Sequence, residues 1–328
     1  MKKIISILIS TVMIISLFVA CGTKEQTENT AKEKFSVVTT IFPEYDWVRE
    51  ILGEKANETK LTLLLDKGVD LHNYQPTADD LITLSQCDMF IYVGGESDEW
   101  VEDALKNSVN PDMIVINLLE ALGDMAKEEE IVEGMQGEEE EEAEDGEEEV
   151  EYDEHVWLSL KNADYLCNII CEKLCQLDSE NEAVYKANFS AYSEKLSELD
   201  KKFEEEAQNA SQETVLFGDR FPFRYLVNDY GIDYYAAFVG CSAETEASFE
   251  TISFLADKVK ELDLKYVLKI DGSDSKIAQT IISTSGKNDI EILEMNSLQS
   301  ATSKDIENGT TYLSVMEKNL EVLKTAIN

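Results

Sequence analysis

The sequence predicts an α/β protein with two lobes of parallel-sheet βα units joined by a long rigid α-helix. Three observations predict it. Short β-branched or apolar runs alternate with stretches of helical spacing in two separate blocks, the pattern of parallel sheets with helical crossovers. A helix-rich stretch without strand signals lies between the blocks. At 328 residues the chain exceeds the usual size of one domain.

The first residues stand apart from this fold. Lys2 and Lys3 precede an apolar run from Ile4 to Val19, and Ala20-Cys21-Gly22 reads as a cleavage site after a small residue. The apolar run is shorter than the roughly 20 residues that span a bilayer. Residues 1–20 are therefore expected to be a signal peptide. Residues 21–34 are polar and aperiodic, and are expected to be a flexible tether. Leu17-Phe18-Val19-Ala20-Cys21 resembles the lipobox of bacterial lipoproteins. That resemblance implies a lipid on Cys21, anchoring the protein to the bacterial membrane on its extracytoplasmic side.

In the first block, strands are expected at Ser36–Phe42, Thr59–Leu65, Asp88–Gly94 and Met113–Leu118. Helices are expected at Asp46–Leu52, Ala78–Gln86 and Trp100–Lys106. An acidic low-complexity insertion runs from 127 to 154, mostly Asp and Glu in its second half. Such a run repels itself and cannot bury apolar surface, so disorder is expected there. Helical spacing then covers Leu160–Leu177 and Ser179–Ala207. Phe189, Tyr192, Leu196, Leu199 and Phe203 form one apolar stripe on the second of these helices. The second block has expected strands at Thr214–Phe217, Tyr234–Phe238, Tyr266–Ile270 and Ile290–Met295. Its helices are expected at Phe223–Asp229, Phe249–Glu261, Lys276–Thr284 and Tyr312–Ala326. The expected division is a first lobe at 35–160, a helical strut at 161–210 and a second lobe at 211–328.

A net charge of −40 excludes nucleic acid as a partner, because nothing neutralises phosphates. The same charge concentrates cations. Besides Cys21 there are five cysteines, an odd number that cannot all pair within one chain. Cys167, Cys171 and Cys175 recur every four residues and share one helix face. With no histidine nearby they read as core residues in preference to a thiolate site.

Only two histidines occur, His72 and His155. His72 follows an expected strand end in a glycine-containing loop, the usual position of ligands in parallel sheets. Two imidazoles with oxygen co-ligands suit Zn²⁺ or Mn²⁺. No His-Glu-x-x-His, Gly-x-Ser-x-Gly or phosphate loop is present, so no enzyme is expected.

Several motifs carry a resemblance. Val37-Val38-Thr39-Thr40-Ile41-Phe42-Pro43, the loop from Gly68 to Thr77 around His72, His155-Val156-Trp157-Leu158, and Tyr225-Leu226 with Tyr230-Gly231 are similar to the zinc/manganese ABC-transporter solute-binding lipoproteins. The resemblance implies a receptor that captures Zn²⁺, or Mn²⁺, between two lobes and passes it as a monomer to an ABC permease. It implies His72 and His155 as ligands. The family's third ligand position falls on Arg220, which cannot ligate a metal. Asp219 beside it and Asp271 at the end of a strand are the expected oxygen ligands, with Gln299, Glu244 and Glu246 in reserve. The acidic insertion sits where zinc members carry a mobile loop, which favours zinc. A surface adhesion lipoprotein with a degenerate metal site is the alternative.

Overall fold

A computed structural model describes residues 35–137, 151–242 and 246–328. Cys21, the signal peptide and the tether lie outside the described residues, as does Glu244. No helix among the described residues is long and apolar enough to cross a membrane.

Two four-stranded sheets form, each wholly parallel. In the first, β1 (Ser36–Thr39), β2 (Lys60–Leu63), β3 (Met89–Tyr92) and β4 (Ile114–Asn117) lie in the order β2-β1-β3-β4. In the second, β5 (Thr214–Phe221), β6 (Asp233–Val239), β7 (Tyr266–Ile270) and β8 (Glu291–Met295) lie in the order β6-β5-β7-β8. Each sheet thus has its first strand inside and reverses direction there. The carboxyl ends beside such a reversal form a crevice.

The first helix starts earlier than its spacing predicts. α1 covers Phe42–Leu52, and β1 stops at Thr39. Pro43 enters the first helical turn, where its missing N–H costs nothing. The buried Glu44 carboxylate accepts from the Thr40 and Ile41 amides at 2.8 and 3.2 Å. These contacts turn the chain out of the strand three residues before the apolar run ends.

The next helices are α2 (Ala78–Ser85), α3 (Trp100–Lys106) and a short α4 (Leu118–Leu122) that the sequence did not suggest. α5 (Leu160–Leu177) is capped by Ser159, whose side chain accepts from the Asn162 amide. It turns Cys167, Cys171 and Cys175 into the core, all as free thiols. α6 (Glu182–Gln208) has 27 residues, about 40 Å at the usual rise. Beyond it come α7 (Arg224–Tyr230), α8 (Phe249–Glu261), α9 (Lys276–Ser285), a second unexpected short helix α10 (Ser303–Glu307), and α11 (Tyr312–Ile327).

One continuous apolar core runs from Val37 in β1 to Ile327 in α11 and takes side chains from both sheets and from α5 and α6. A smaller cluster covers the far face of the second sheet beneath α8 and α9. Tyr312 links the C-terminal helix back to α1 and to the turn after His155. Its amide donates to Asp46 at 2.7 Å, its hydroxyl donates to the Trp157 carbonyl at 2.7 Å, and its ring meets Trp47 edge-on. A shared core resists separate motion of the two sheets.

The acidic insertion departs from the expectation of disorder at both flanks. Residues 127–137 and 151–154 are ordered, with bridges from Glu128 to Tyr152 and from Gln136 to Phe238. The physical reason is backbone pairing. The Glu129 amide donates to Glu151 and the Asp153 amide to Lys127, so each flank satisfies the other. Met135 is buried as well. Residues 138–150 lie outside the described set.

Buried acids predict how stability depends on pH. Burial pushes Asp46 up to about 6 against the pull of Arg49, and pushes Asp98 up to about 6 against its hydrogen bonds from Gly94 and Val93. A carboxyl raised in the folded state binds more protons there than in the unfolded chain. Its contribution is complete below about pH 4 and is lost as pH rises through about 6. Glu129, raised to about 7, and Glu154, raised to about 8, act in the same direction. Metal-free protein is therefore expected to melt roughly 5 °C higher at pH 5 than at pH 8, at constant ionic strength. A melting temperature that falls on this acidification contradicts it.

Candidate metal centre

The carboxyl ends of the two sheets face a common site. His72 lies in a short turn after β2, where the Asp70 side chain accepts from the His72 amide at 3.1 Å. His155 follows the ordered flank of the insertion and is fully buried. Residues 83 positions apart thus bring their Nε2 atoms to 3.2 Å, with ring centroids 5.1 Å apart.

The outer nitrogens explain the orientation of both rings. His155 Nδ1 lies 3.0 Å from Asp153 Oδ1, and the same oxygen accepts from the His155 amide at 2.8 Å. His72 Nδ1 lies 2.7 Å from Ser97 Oγ and 3.4 Å from Glu154 Oε2. An oxygen at Nδ1 favours the tautomer that carries the ring proton there, and a ring in that tautomer presents its Nε2 lone pair to a cation. Zn–N bonds of about 2.05 Å at a tetrahedral angle require an N···N separation of about 3.3 Å. The observed pair has that spacing.

Electrostatics keep the first imidazole neutral. Burial, with His155 and Arg220 nearby, lowers His72 to about 3 despite Asp70. Its lone pair is available across physiological pH. Burial pushes Glu154 up to about 8, and its Oε2 has no hydrogen-bond partner among the described residues. Gly95 makes room for that side chain, because a Cβ there would lie 2.4 Å from Glu154 Oε1. Gly240 does the same for the second ring. A Cβ at 240 would sit 2.8 Å from His155 Cε1 and 2.9 Å from Nδ1.

The expected oxygen ligands do not join the histidines. Asp219 sits in β5 at a register shift between Phe217 and Arg220. Its Oδ1 accepts from the Arg220 amide at 2.9 Å and its Oδ2 from the Ile270 amide at 3.3 Å. One oxygen closes onto the next residue of the irregular strand and the other ties that strand to β7. Asp271 follows β7, but its Oδ1 accepts from the Ser297 amide and hydroxyl at 2.6 and 2.9 Å. Glu246 is exposed and also outside the group. Arg220 pairs with Asp70 at 2.6 Å, and the other Asp70 oxygen lies 4.0 Å from His72 Nε2. Burial opposes ionisation of Asp70, yet Arg220 and His72 hold its carboxyl below the usual range.

Among the described residues, His72, His155 and Cys241 are the group whose potential ligand atoms all lie within 4.8 Å of one another. Cys241 follows β6 at the same end of the sheet. Burial, together with Glu154, Asp153 and Glu129, pushes its thiol well up. Gln299 completes the surroundings. With its amide nitrogen donating to both Asp70 oxygens at 2.7 and 3.0 Å, its oxygen accepts from His155 Nε2 at 2.7 Å. The preceding residue, Leu298, is held at φ 65.

Residues 37–326 match the sequence profile of the family described as zinc-uptake complex component A, periplasmic. The chain belongs to that family. Among zinc-uptake relatives, it is 32% identical to the zinc-binding lipoprotein AdcA of Streptococcus pneumoniae, over 99% of this chain and 61% of AdcA. It thus spans about three fifths of that relative's length. It is 29% identical to the high-affinity zinc uptake system protein ZnuA of Bacillus subtilis, over 95% of this chain and 94% of ZnuA. The Zn(II)-bound ZnuA-like domain of S. pneumoniae AdcA superposes with a TM-score of 0.69 at 28% identity, covering 90% of this chain and 99% of that one. A laminin-binding protein of Streptococcus agalactiae shares the fold at 22% identity, with a TM-score of 0.70 over 90% of this chain and all of that one.

The structure brings together two residues singled out from sequence, His72 and His155; Cys241, Asp153, Glu154 and Ser97, which lie beside them, were not singled out. Cys241 carried one legible signal, its position just after a parallel strand.

Proposed function

We propose that this chain is an extracytoplasmic solute-binding lipoprotein that captures Zn²⁺ between its two sheets and delivers it to an ABC importer. The observation that carries the reading is the pair of Nε2 atoms at 3.2 Å, each ring oriented by an acceptor on its far nitrogen. Zinc-named relatives in two bacteria support zinc as the cargo, with Mn²⁺ as the second ion. Membership of a solute-binding family supports binding and release, with no chemical step on a substrate. Lipid on Cys21, a permease partner and a monomeric state complete the proposal. Adhesion gains nothing from the laminin-binding neighbour, because 22% identity supports the fold alone.

The shared core implies small movements on capture. Capture would draw the two rings onto one ion. The test is titration of the purified chain with Zn²⁺ and Mn²⁺ against a calibrated chelator. One zinc per chain is expected, with Zn²⁺ bound more tightly than Mn²⁺, as divalent affinities generally run. Absence of a stoichiometric site would remove the receptor reading.

A further inference from the structure

We infer that Cys241 is the third protein ligand, making a His₂Cys donor set that selects Zn²⁺ against Mn²⁺. The inference rests on the reading that the cation sits between His72 and His155, and it names what completes the site.

Four observations lead to it. First, the carboxylates expected to complete the site are committed elsewhere. Asp219 accepts from the Arg220 amide within β5 through one oxygen and from the Ile270 amide of β7 through the other, and Asp271 is tied to Ser297. Second, the arginine next to Asp219 pairs with Asp70 and donates to the Ser242 carbonyl at 3.4 Å. Its guanidinium is thus engaged by a carboxylate and a carbonyl, and it has no lone pair to offer a metal. Third, Cys241 is a free, partly buried thiol, and its sulfur belongs to the one three-residue ligand group among the described residues. Fourth, Gly240 lets this strand end approach closely, so that Cys241 follows a residue already in contact with the His155 ring.

The distances are close to those of a filled site. Zn–N of about 2.05 Å and Zn–S of about 2.3 Å give a tetrahedral N···S edge of about 3.6 Å. The ligand atoms lie within 4.8 Å of one another before any ion draws them in. The remaining closure of about an ångström is within reach of a small χ1 adjustment at one cysteine. The Gln299 oxygen, 2.7 Å from His155 Nε2, is placed to serve as the fourth donor.

The chemistry balances simply. The S–H bond breaks, an S–Zn bond forms, and the proton leaves to the buffer without change of oxidation state. A thiolate is a soft donor that suits tetrahedral zinc. Mn²⁺ prefers oxygen ligands at higher coordination number. A single sulfur at the third position therefore sets selectivity in a way that a carboxylate does not.

The test compares the full, reduced chain with Cys241→Ser and Cys241→Ala, each titrated with Co²⁺, Zn²⁺ and Mn²⁺. Wild-type protein with one Co²⁺ is expected to show a sulfur-to-cobalt charge-transfer band in the near ultraviolet. Both variants are expected to lose that band and to keep their metal-free melting temperature. They should bind zinc roughly 100-fold more weakly, and their preference for Zn²⁺ over Mn²⁺ should narrow about 10-fold or more. Stoichiometric cobalt without the band, or a band that survives Cys241→Ser, overturns the cysteine ligand and leaves the receptor reading intact. A wild-type chain that binds no cobalt or zinc overturns both.

Discussion

Replacing His155 with alanine is expected to lower zinc affinity by roughly 100- to 1,000-fold while leaving the fold intact. The magnitude follows from the apparent zinc affinity of small protein sites, about 10–16 kcal/mol shared over four ligands, or about 3–4 kcal/mol each. His155 is the most sequestered member of the site, fully buried between Gly240 and Trp157, with ring centroids 5.2 Å apart in the latter contact. No water can replace its nitrogen cheaply from such a position. Asp153→Asn should cost less, about 10- to 100-fold, because it disturbs the tautomer and ring orientation without removing the donor atom. Both effects are read by chelator competition. They are also read by the zinc-dependent rise in melting temperature, which scales with the logarithm of ligand concentration over Kd. If the alanine variant and the parent bind zinc alike, the ion does not sit between the two imidazoles.

Replacing Trp157 with alanine is expected to destabilise the protein by about 3–5 kcal/mol. The indole is fully buried, and its Nε1 donates to the Ser297 carbonyl at 2.8 Å. The Trp157 carbonyl in turn accepts from the Tyr312 hydroxyl. One residue beside a candidate ligand therefore ties the segment carrying His155 to the loop after β8 and to the C-terminal helix. The same loop carries Gln299, and its Ser297 restrains Asp271. Zinc affinity should fall as well, because the loop loses its anchor. Trp157→Phe keeps most of the apolar volume and loses the N–H. It should cost about 1–3 kcal/mol, the penalty of leaving the Ser297 carbonyl unpaired. Denaturant unfolding separates the two variants. Equal stability of parent and Trp157→Ala would show that the indole does not bind the halves together.

Much of the molecule was legible before any coordinates. Strand–helix alternation was enough for two parallel sheets, because a parallel pair requires a crossover and the apolar periodicity marks each one. The long helix was legible from the stripe of Tyr192, Leu196, Leu199 and Phe203, all of them buried in α6. The family was legible because the motifs around His72 and His155 are local in sequence. Errors arose where a side chain answers to a distant partner. α1 begins early because of Glu44, and the insertion's flanks are ordered because 127–129 pairs with 151–153.

By itself, then, the amino-acid sequence determined two βα sheets, a bracing helix and the two imidazoles. These depend on periodicity and on short motifs, which are properties of neighbouring residues. Tertiary structure alone decided which third group faces the imidazoles. Asp219, Asp271 and Cys241 all stand at or near the carboxyl ends of parallel strands, and nothing local distinguishes them. Backbone amides from neighbouring segments claim one oxygen of Asp219 and one of Asp271, and Gly240 brings residue 241 against the rings. A buried polar group goes to whatever donor or acceptor packing places beside it, and that is settled only when the chain has closed on itself.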